Sequence, residues 1–153
     1  MRLLLIFSLL AIFIACKSDN VPFETTPYTE AFPFYFPEMQ ISEDNPSTIE
    51  GIELGRRLYY DNILHSTQLK SCSSCHNQTT SFTTPESNSL PHINLGWASS
   101  FLWNGGVEGS LEDFMILEID NFFHTDFTLL NNHDEYPSLF KKAFNVKNIT
   151  TKE

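Results

Sequence analysis

Cys72, Cys75 and His76 carry most of the chemistry open to this chain. They stand together in Ser71-Cys72-Ser73-Ser74-Cys75-His76-Asn77. Two thiols three residues apart on one helical turn can both add to the vinyl groups along one edge of a porphyrin. The next residue then brings its imidazole under the iron as the proximal ligand. C-x-x-C-H is the attachment pattern for c-type haem. Cys pairs at this spacing also bind zinc or exchange disulfides, so the flanks have to decide. A metal site without haem would need a fourth ligand, such as His65 or His92.

Around that stretch, the length of 153 residues allows one small domain once an export segment is removed. The chain holds 14 Phe, 5 Tyr and 2 Trp, an excess that suits either a flat apolar cofactor or a small core built from large side chains. The formal charge is −10. Between Ser71 and Phe140 there is no Lys or Arg, while Glu86, Glu108, Glu112, Asp113, Glu118, Asp120, Asp126, Asp134 and Glu135 all fall there. Such a surface repels nucleic acid and could steer a basic protein partner; a merely solvated acidic face is the other reading.

The cysteines are odd in number, and each has a use: Cys16 would carry lipid, and Cys72 and Cys75 haem. Residues 1–15 form a short n-region and an apolar run of signal-peptide length. The run ends Phe13-Ile14-Ala15-Cys16, close to a bacterial lipobox, with Phe where Leu is usual. Cleavage before Cys16 and acylation of its thiol would leave a periplasmic lipoprotein that touches the membrane only through its lipid. An uncleaved anchor is the alternative, and either way the domain lies outside the cytoplasm, where c-type haem is attached. Residues 16–46 are polar and punctuated by Pro22, Pro27, Pro33, Pro37 and Pro46, which reads as an extended tether. Its run Phe32-Pro33-Phe34-Tyr35-Phe36-Pro37 is aromatic enough to pack along the domain.

Three helices are expected to position the Cys pair. Ser47-Thr48-Ile49-Glu50 has the capping-box pattern, and Ile49, Ile52, Leu54, Leu58 and Tyr59 recur at helical spacing, predicting a helix from Thr48 to about Tyr60. Ser110-Leu111-Glu112-Asp113 opens a second, with Leu111, Phe114, Met115 and Ile119 on one side. Tyr136, Leu139, Phe140, Ala143 and Phe144 mark a third, with Pro137 in its first turn. No segment alternates as a strand, so residues 47–149 are expected to be all-α, a single cytochrome c-like haem domain. Residues 150–153, Thr-Thr-Lys-Glu, repeat a helix-start signal, which reads as the start of a missing helix in a shortened chain or as a polar tail.

These patterns fall in a recognisable order. Asp44-Asn45-Pro46-Ser47-Thr48-Ile49-Glu50-Gly51-Ile52-Glu53-Leu54-Gly55-Arg56-Arg57-Leu58-Tyr59-Tyr60-Asp61 comes first, then the Cys72–His76 motif and Phe82-Thr83. Ile93-Asn94-Leu95-Gly96-Trp97, Phe101-Leu102-Trp103-Asn104-Gly105-Gly106 and Tyr136-Pro137-Ser138-Leu139-Phe140-Lys141-Lys142-Ala143-Phe144 follow. Together they resemble the N-terminal haem domain of the bacterial di-haem cytochrome c peroxidase (MauG-like) family. The resemblance implies a haem that reduces hydrogen peroxide to water, fed by a second haem that takes electrons from a small cytochrome or copper protein. It carries Cys72 and Cys75 onto the thioether cysteines, His76 onto the proximal ligand and Trp103 onto the tryptophan relay between the haems. Asn88 matches an asparagine that helps hold an interdomain calcium.

The departures qualify the expected activity. There is no second C-x-x-C-H, so an electron-input haem would have to come from a separate chain. The loop from Asn77 to Asn94 is shorter than in the family, whose switchable distal His normally lies in it. His92 is the nearest candidate for a sixth ligand, and His65, His124, His133 and Met115 are others. His124 stands where the family has its proton-handling Glu, and an imidazole could shuttle that proton. The arginines usual before Asn88 and after Gly105 are Ser87 and Gly106. The leading expectation is a haem c peroxidase domain; the alternative is a mono-haem electron-transfer lipoprotein without peroxidase activity.

Overall fold

In the computed structural model, residues 22–153 are described; the signal-peptide and lipobox readings, Cys16 included, lie outside them. Helix α1 spans Ile49–Tyr60, and a 3-10 turn at Asn62–Leu64 follows it. Helix α2, Cys72–Cys75, is one turn carrying the Cys pair. A long loop segment with three further 3-10 turns leads to strands β1 (Ser100–Phe101) and β2 (Val107–Glu108). Helix α3, Leu111–Leu117, runs directly into a π-helix at Glu118–Phe123, and helices α4 (Phe127–Asn131) and α5 (Tyr136–Phe144) complete the order. Among the described residues, no helix is long and apolar enough to cross a membrane.

The expected helix near residue 48 forms, but its cap differs from the one read above. Thr48, not Ser47, is the N-cap: its hydroxyl accepts from the Gly51 N–H at 3.0 Å. Glu50 then sits one position too early to close a capping box. Its carboxylate instead accepts from the N–H of Thr26 at 2.8 Å and from its hydroxyl at 3.0 Å. These bonds hold that carboxyl below the usual carboxylate range. The capping box at Ser110 forms as read, with the Ser110 hydroxyl accepting from the Asp113 N–H and the Asp113 carboxylate accepting from the Ser110 N–H, both at 3.1 Å.

The core lies where α1, α4 and α5 meet the 3-10 turn after α1. Leu54, Ile63, Leu64, Phe123, Leu130, Tyr136, Phe140, Ala143 and Ile149 are buried there, with Leu58, Cys72, Leu139 and Phe144 packed against them. Tyr136 and Leu130 are fully buried. The Tyr136 hydroxyl donates to the Asp61 carboxylate at 2.7 Å, so its polar end is satisfied inside the core. All five apolar positions of α5 therefore do what their spacing implies.

The all-α expectation needs one correction. β1 and β2 pair antiparallel, Ser100 with Glu108 and Phe101 with Val107. Two residues per strand are too few for alternation to register in a sequence. Closing the ribbon takes left-handed backbone at Leu102 (φ 68°) and Gly105 (φ 63°). The ribbon lays Phe101 flat on Phe114 of α3, ring centroids 4.7 Å apart.

The aromatic run of the tether packs in part: Phe34 and Tyr35 are exposed, while Phe32 and Phe36 reach the domain. Phe32 and Phe36 meet the Trp97 ring edge-on at 5.0 and 4.9 Å, and the Trp97 indole N–H donates to the Pro37 carbonyl at 2.9 Å. The Met39 thioether lies directly over Gly96, leaving no room for a Cβ there.

Candidate functional site: the Cys72–His76 turn

The Cys pair is held by bonds from both sides. The His76 N–H donates to the Cys72 carbonyl at 3.0 Å, and the Ser71 N–H donates to the Ser74 hydroxyl at 3.0 Å, which closes the α2 turn. Both thiols are free and half-buried. Burial is the main cause that pushes the Cys72 thiol up to about 11, with the nearby Glu118 and Cys75 charges adding to it.

His76 is oriented by a backbone atom. Its Nδ1 lies 3.0 Å from the Phe82 carbonyl oxygen. A carbonyl can only accept, so Nδ1 carries the hydrogen and Nε2 keeps the free lone pair. Axial ligands to iron are commonly fixed in this way, by a second group on the other ring nitrogen. The same carbonyl accepts from the His92 N–H at 3.3 Å. Ser89 ties the loop down further: its hydroxyl donates to the Cys75 carbonyl and accepts from the Thr84 N–H at 2.8 Å.

His92 lies flat against His76, with ring centroids 3.5 Å apart and planes 18° from parallel. Tyr59 of α1 joins the two. Its hydroxyl donates to the His76 carbonyl at 3.1 Å and lies 3.2 Å from His92 Nδ1, which therefore donates to it. Burial, and then the neighbouring His76 ring, lowers the His92 imidazole to about 4, so this ring is neutral at pH 7. Burial pushes the Tyr59 phenol up to about 12. His92, read from the sequence as a candidate sixth ligand, is thus brought directly beside the candidate proximal ligand His76.

The other sequence candidates are dispersed. His124 is exposed, in left-handed backbone (φ 50°) at the end of the π-helix, and its Nδ1–H donates to the Asp120 carbonyl at 3.0 Å. His65 Nδ1 accepts from the Thr67 N–H at 3.2 Å, and His133 Nδ1 accepts from the Glu135 N–H at 3.1 Å. Met115 is half-buried on α3. Trp103 is 67% exposed, and its indole N–H donates to the Asn88 carbonyl at 2.9 Å. Among the described residues, no group of three or more His, Cys, Asp or Glu is close enough together to hold a metal ion. Sequence reasoning missed Tyr59 as a site residue because it counted only as one more apolar position of α1. The Phe82 carbonyl and the Ser89 hydroxyl left no signal in side-chain spacing.

Two half-buried thiols one turn apart, followed by an imidazole whose Nε2 is free and whose Nδ1 is anchored, form a donor set that fits a c-type haem. A crystal structure of a MauG-like protein associated with microbial copper homeostasis is similar to this chain, with a TM-score of 0.66 and 25% identity. The similarity covers 77% of this chain and 40% of that one, so the chain spans well under half of that protein's length. No curated protein matches the sequence. The family model for the di-haem cytochrome c peroxidases matches residues 49–153, from the first turn of α1 through the Cys pair and α5, and the chain belongs to that family.

Proposed function

We propose that this chain is a c-type haem domain that reduces hydrogen peroxide to water. Cys72 and Cys75 would hold the haem by thioether bonds, and His76 Nε2 would be its axial ligand. The observation that carries this reading is the His76 anchor: the Phe82 carbonyl fixes the tautomer that leaves Nε2 free, immediately after the two free thiols. Bound haem would supply the redox-active iron at which the O–O bond is broken.

The protein's own residues do the rest. The bond to Phe82 holds the His76 ring in one orientation and makes it a stronger donor. Tyr59 and His92 wall that side and exclude water from it, since both are partly buried and bonded to each other. Reduction of one peroxide to two waters consumes two electrons and two protons. The electrons would come from a small cytochrome or copper protein, through a second haem on a separate chain docked near the exposed Trp103. The acidic surface of residues 71–140 suits a basic donor. Residues 1–15 would direct export, and acylated Cys16 would hold the domain at the periplasmic face of a membrane.

The test is spectroscopic. Protein made with haem-attachment machinery should retain haem on a denaturing gel, and its reduced spectrum should shift on adding carbon monoxide. Peroxide consumption should rise when a second haem domain is supplied with reductant. Covalent haem with a spectrum indifferent to carbon monoxide, and no peroxide turnover, would overturn the peroxidase reading and leave the mono-haem electron carrier. A fully two-bonded haem in Cys72→Ala would overturn the attachment reading.

A further inference from the structure

Two tyrosines in succession lead from residue His76 to the surface. Tyr59 and Tyr60 are the last residues of helix α1. The Tyr59 hydroxyl is bonded to the His76 carbonyl at 3.1 Å, so it touches the residue whose ring is the candidate axial ligand. The Tyr59 and Tyr60 rings meet edge-on, with centroids 5.2 Å apart. Tyr60 is 49% exposed, and its hydroxyl donates to the Gln78 side-chain oxygen at 3.2 Å. It lines an open hollow in the surface together with Arg56, Arg57 and Asn62.

The two phenols differ in what can take their protons. A neutral tyrosine gives up an electron and stays oxidised only when its phenolic proton leaves as well. The Tyr59 hydroxyl donates to a backbone carbonyl, which is no base at neutral pH, and His92 Nδ1 donates to the same phenol oxygen. Tyr59 is therefore placed to pass an electron on and not to rest oxidised. Tyr60 is open to water, which takes its proton, and to any small molecule in solution. Tyr136 is the competitor, since its hydroxyl is bonded to the Asp61 carboxylate, a group able to take a proton. Its ring is fully buried, however, and the Arg57 guanidinium lies over it, 5.4 Å from the centroid. That cation opposes the loss of an electron from the ring.

We propose that Tyr59 and Tyr60 form an electron path between the haem and the surface, through which a small O–H reductant (an enediol or a phenol) drives peroxide reduction without a second haem. The proposal rests on the haem reading above. Each electron drawn by the haem leaves Tyr60 and crosses Tyr59, which ends unchanged, while Tyr60 gives its phenolic proton to water. The neutral tyrosyl radical then takes a hydrogen atom from the reductant, whose O–H bond breaks as that of Tyr60 forms again. Two such cycles supply the two electrons and two protons that turn one hydrogen peroxide into two waters. Two reductant molecules are each oxidised by one electron.

The experiment is electron paramagnetic resonance of the full-length haem-loaded protein, frozen after mixing with hydrogen peroxide, with and without ascorbate as the enediol. The wild type should show a tyrosyl signal that ascorbate erases. Y60F should lose the signal while keeping its covalent haem and the change of its visible spectrum on adding peroxide. Y59F, whose ring cannot relay the electron, should weaken the signal. Y28F, Y35F and Y136F should keep it. A wild type without a tyrosyl signal overturns the proposal. So does a signal that survives in Y60F, is undiminished in Y59F, resists ascorbate, or disappears in Y28F, Y35F or Y136F. A wild type that binds no covalent haem overturns the haem reading itself, and is told apart at the gel. Covalent haem whose spectrum ignores peroxide overturns the peroxidase reading and the electron path with it, before any radical is sought.

Discussion

The two ends of the anchored turn are held in different ways. On the core side, α1, α4 and α5 are held by buried side chains: Tyr136 and Leu130 are fully enclosed, and Phe140 and Ala143 are nearly so. On the other side, residues 77–106 contribute one member to the buried apolar core, Phe101. That segment is shaped by its backbone. Among the described residues, five of the eight non-glycine residues in left-handed conformation fall within it: Ser81, Phe82, Asn88, Asn94 and Leu102. It is pinned by single hydrogen bonds: the Ser89 hydroxyl donates to the Cys75 carbonyl, and the Phe82 carbonyl accepts from His76 Nδ1–H. Fold stability and site geometry therefore reside in different halves, and a substitution can damage one while sparing the other.

Tyr136→Ala is the strongest way to sharpen that contrast. It removes a fully buried ring and one hydrogen bond of the Asp61 carboxylate, and should cost about 3–5 kcal/mol in denaturant unfolding. If a substitution in residues 77–106 other than at buried Phe101 cost as much, the division would fail. Next in size is the pH response of His92. Its folded pKa lies below its unfolded value, so between about 6.5 and about 4 the unfolded chain binds more protons. Stability should be complete above about pH 6.5 and fall as pH drops toward 4. Equilibrium unfolding at pH 7 and pH 5 should show this drop in the wild type and a smaller one in His92→Gln.

Ser89→Ala removes the hydroxyl that joins Thr84, Ser87 and Cys75 and should cost about 1–2 kcal/mol. Its clearer sign is local: amide exchange should quicken around residues 82–92 before the global midpoint moves far. Thr48→Ala, on the core side, removes one cap bond from α1 and should cost about 1 kcal/mol without touching the loop's exchange rates. Trp103→Ala should change stability by no more than about 0.5 kcal/mol, because the ring is mostly exposed. A large stability loss in that variant would mean that the loop half is packed after all.

The same division explains what was legible in the sequence. Helix α5 was readable to the residue because its five apolar positions and Pro137 are local signals that the core then uses. The Ser110 cap was readable because both partners lie within four residues. The cap of α1 was misplaced by one residue because the true partner of Glu50 is Thr26, far upstream in sequence. The π-helix and the ribbon left no pattern, one being a local widening imposed by packing and the other too short to alternate. At the site, the grouping of the Cys pair with His76 was legible, since it depends on spacing alone. The anchoring of His76 was not, because it is made by a backbone oxygen whose position depends on left-handed Phe82. The stacking of His92 on His76 depends on the path of the loop between them, which composition does not encode.

The N-terminal segment has a mechanical consequence. The backbone at Thr26 and Tyr28 is bonded to Ile49 and Ser47, and the Thr26 N–H to Glu50, so the chain meets the first turn of α1 before it loops outward through residues 29–46. A tension applied from the N-terminal side would pass across these bonds directly into α1 and bypass the loop. The aromatic clasp on Trp97 would carry none of it. The loop could then lift from Trp97 and settle again without loading the bonds at Thr26 and Tyr28.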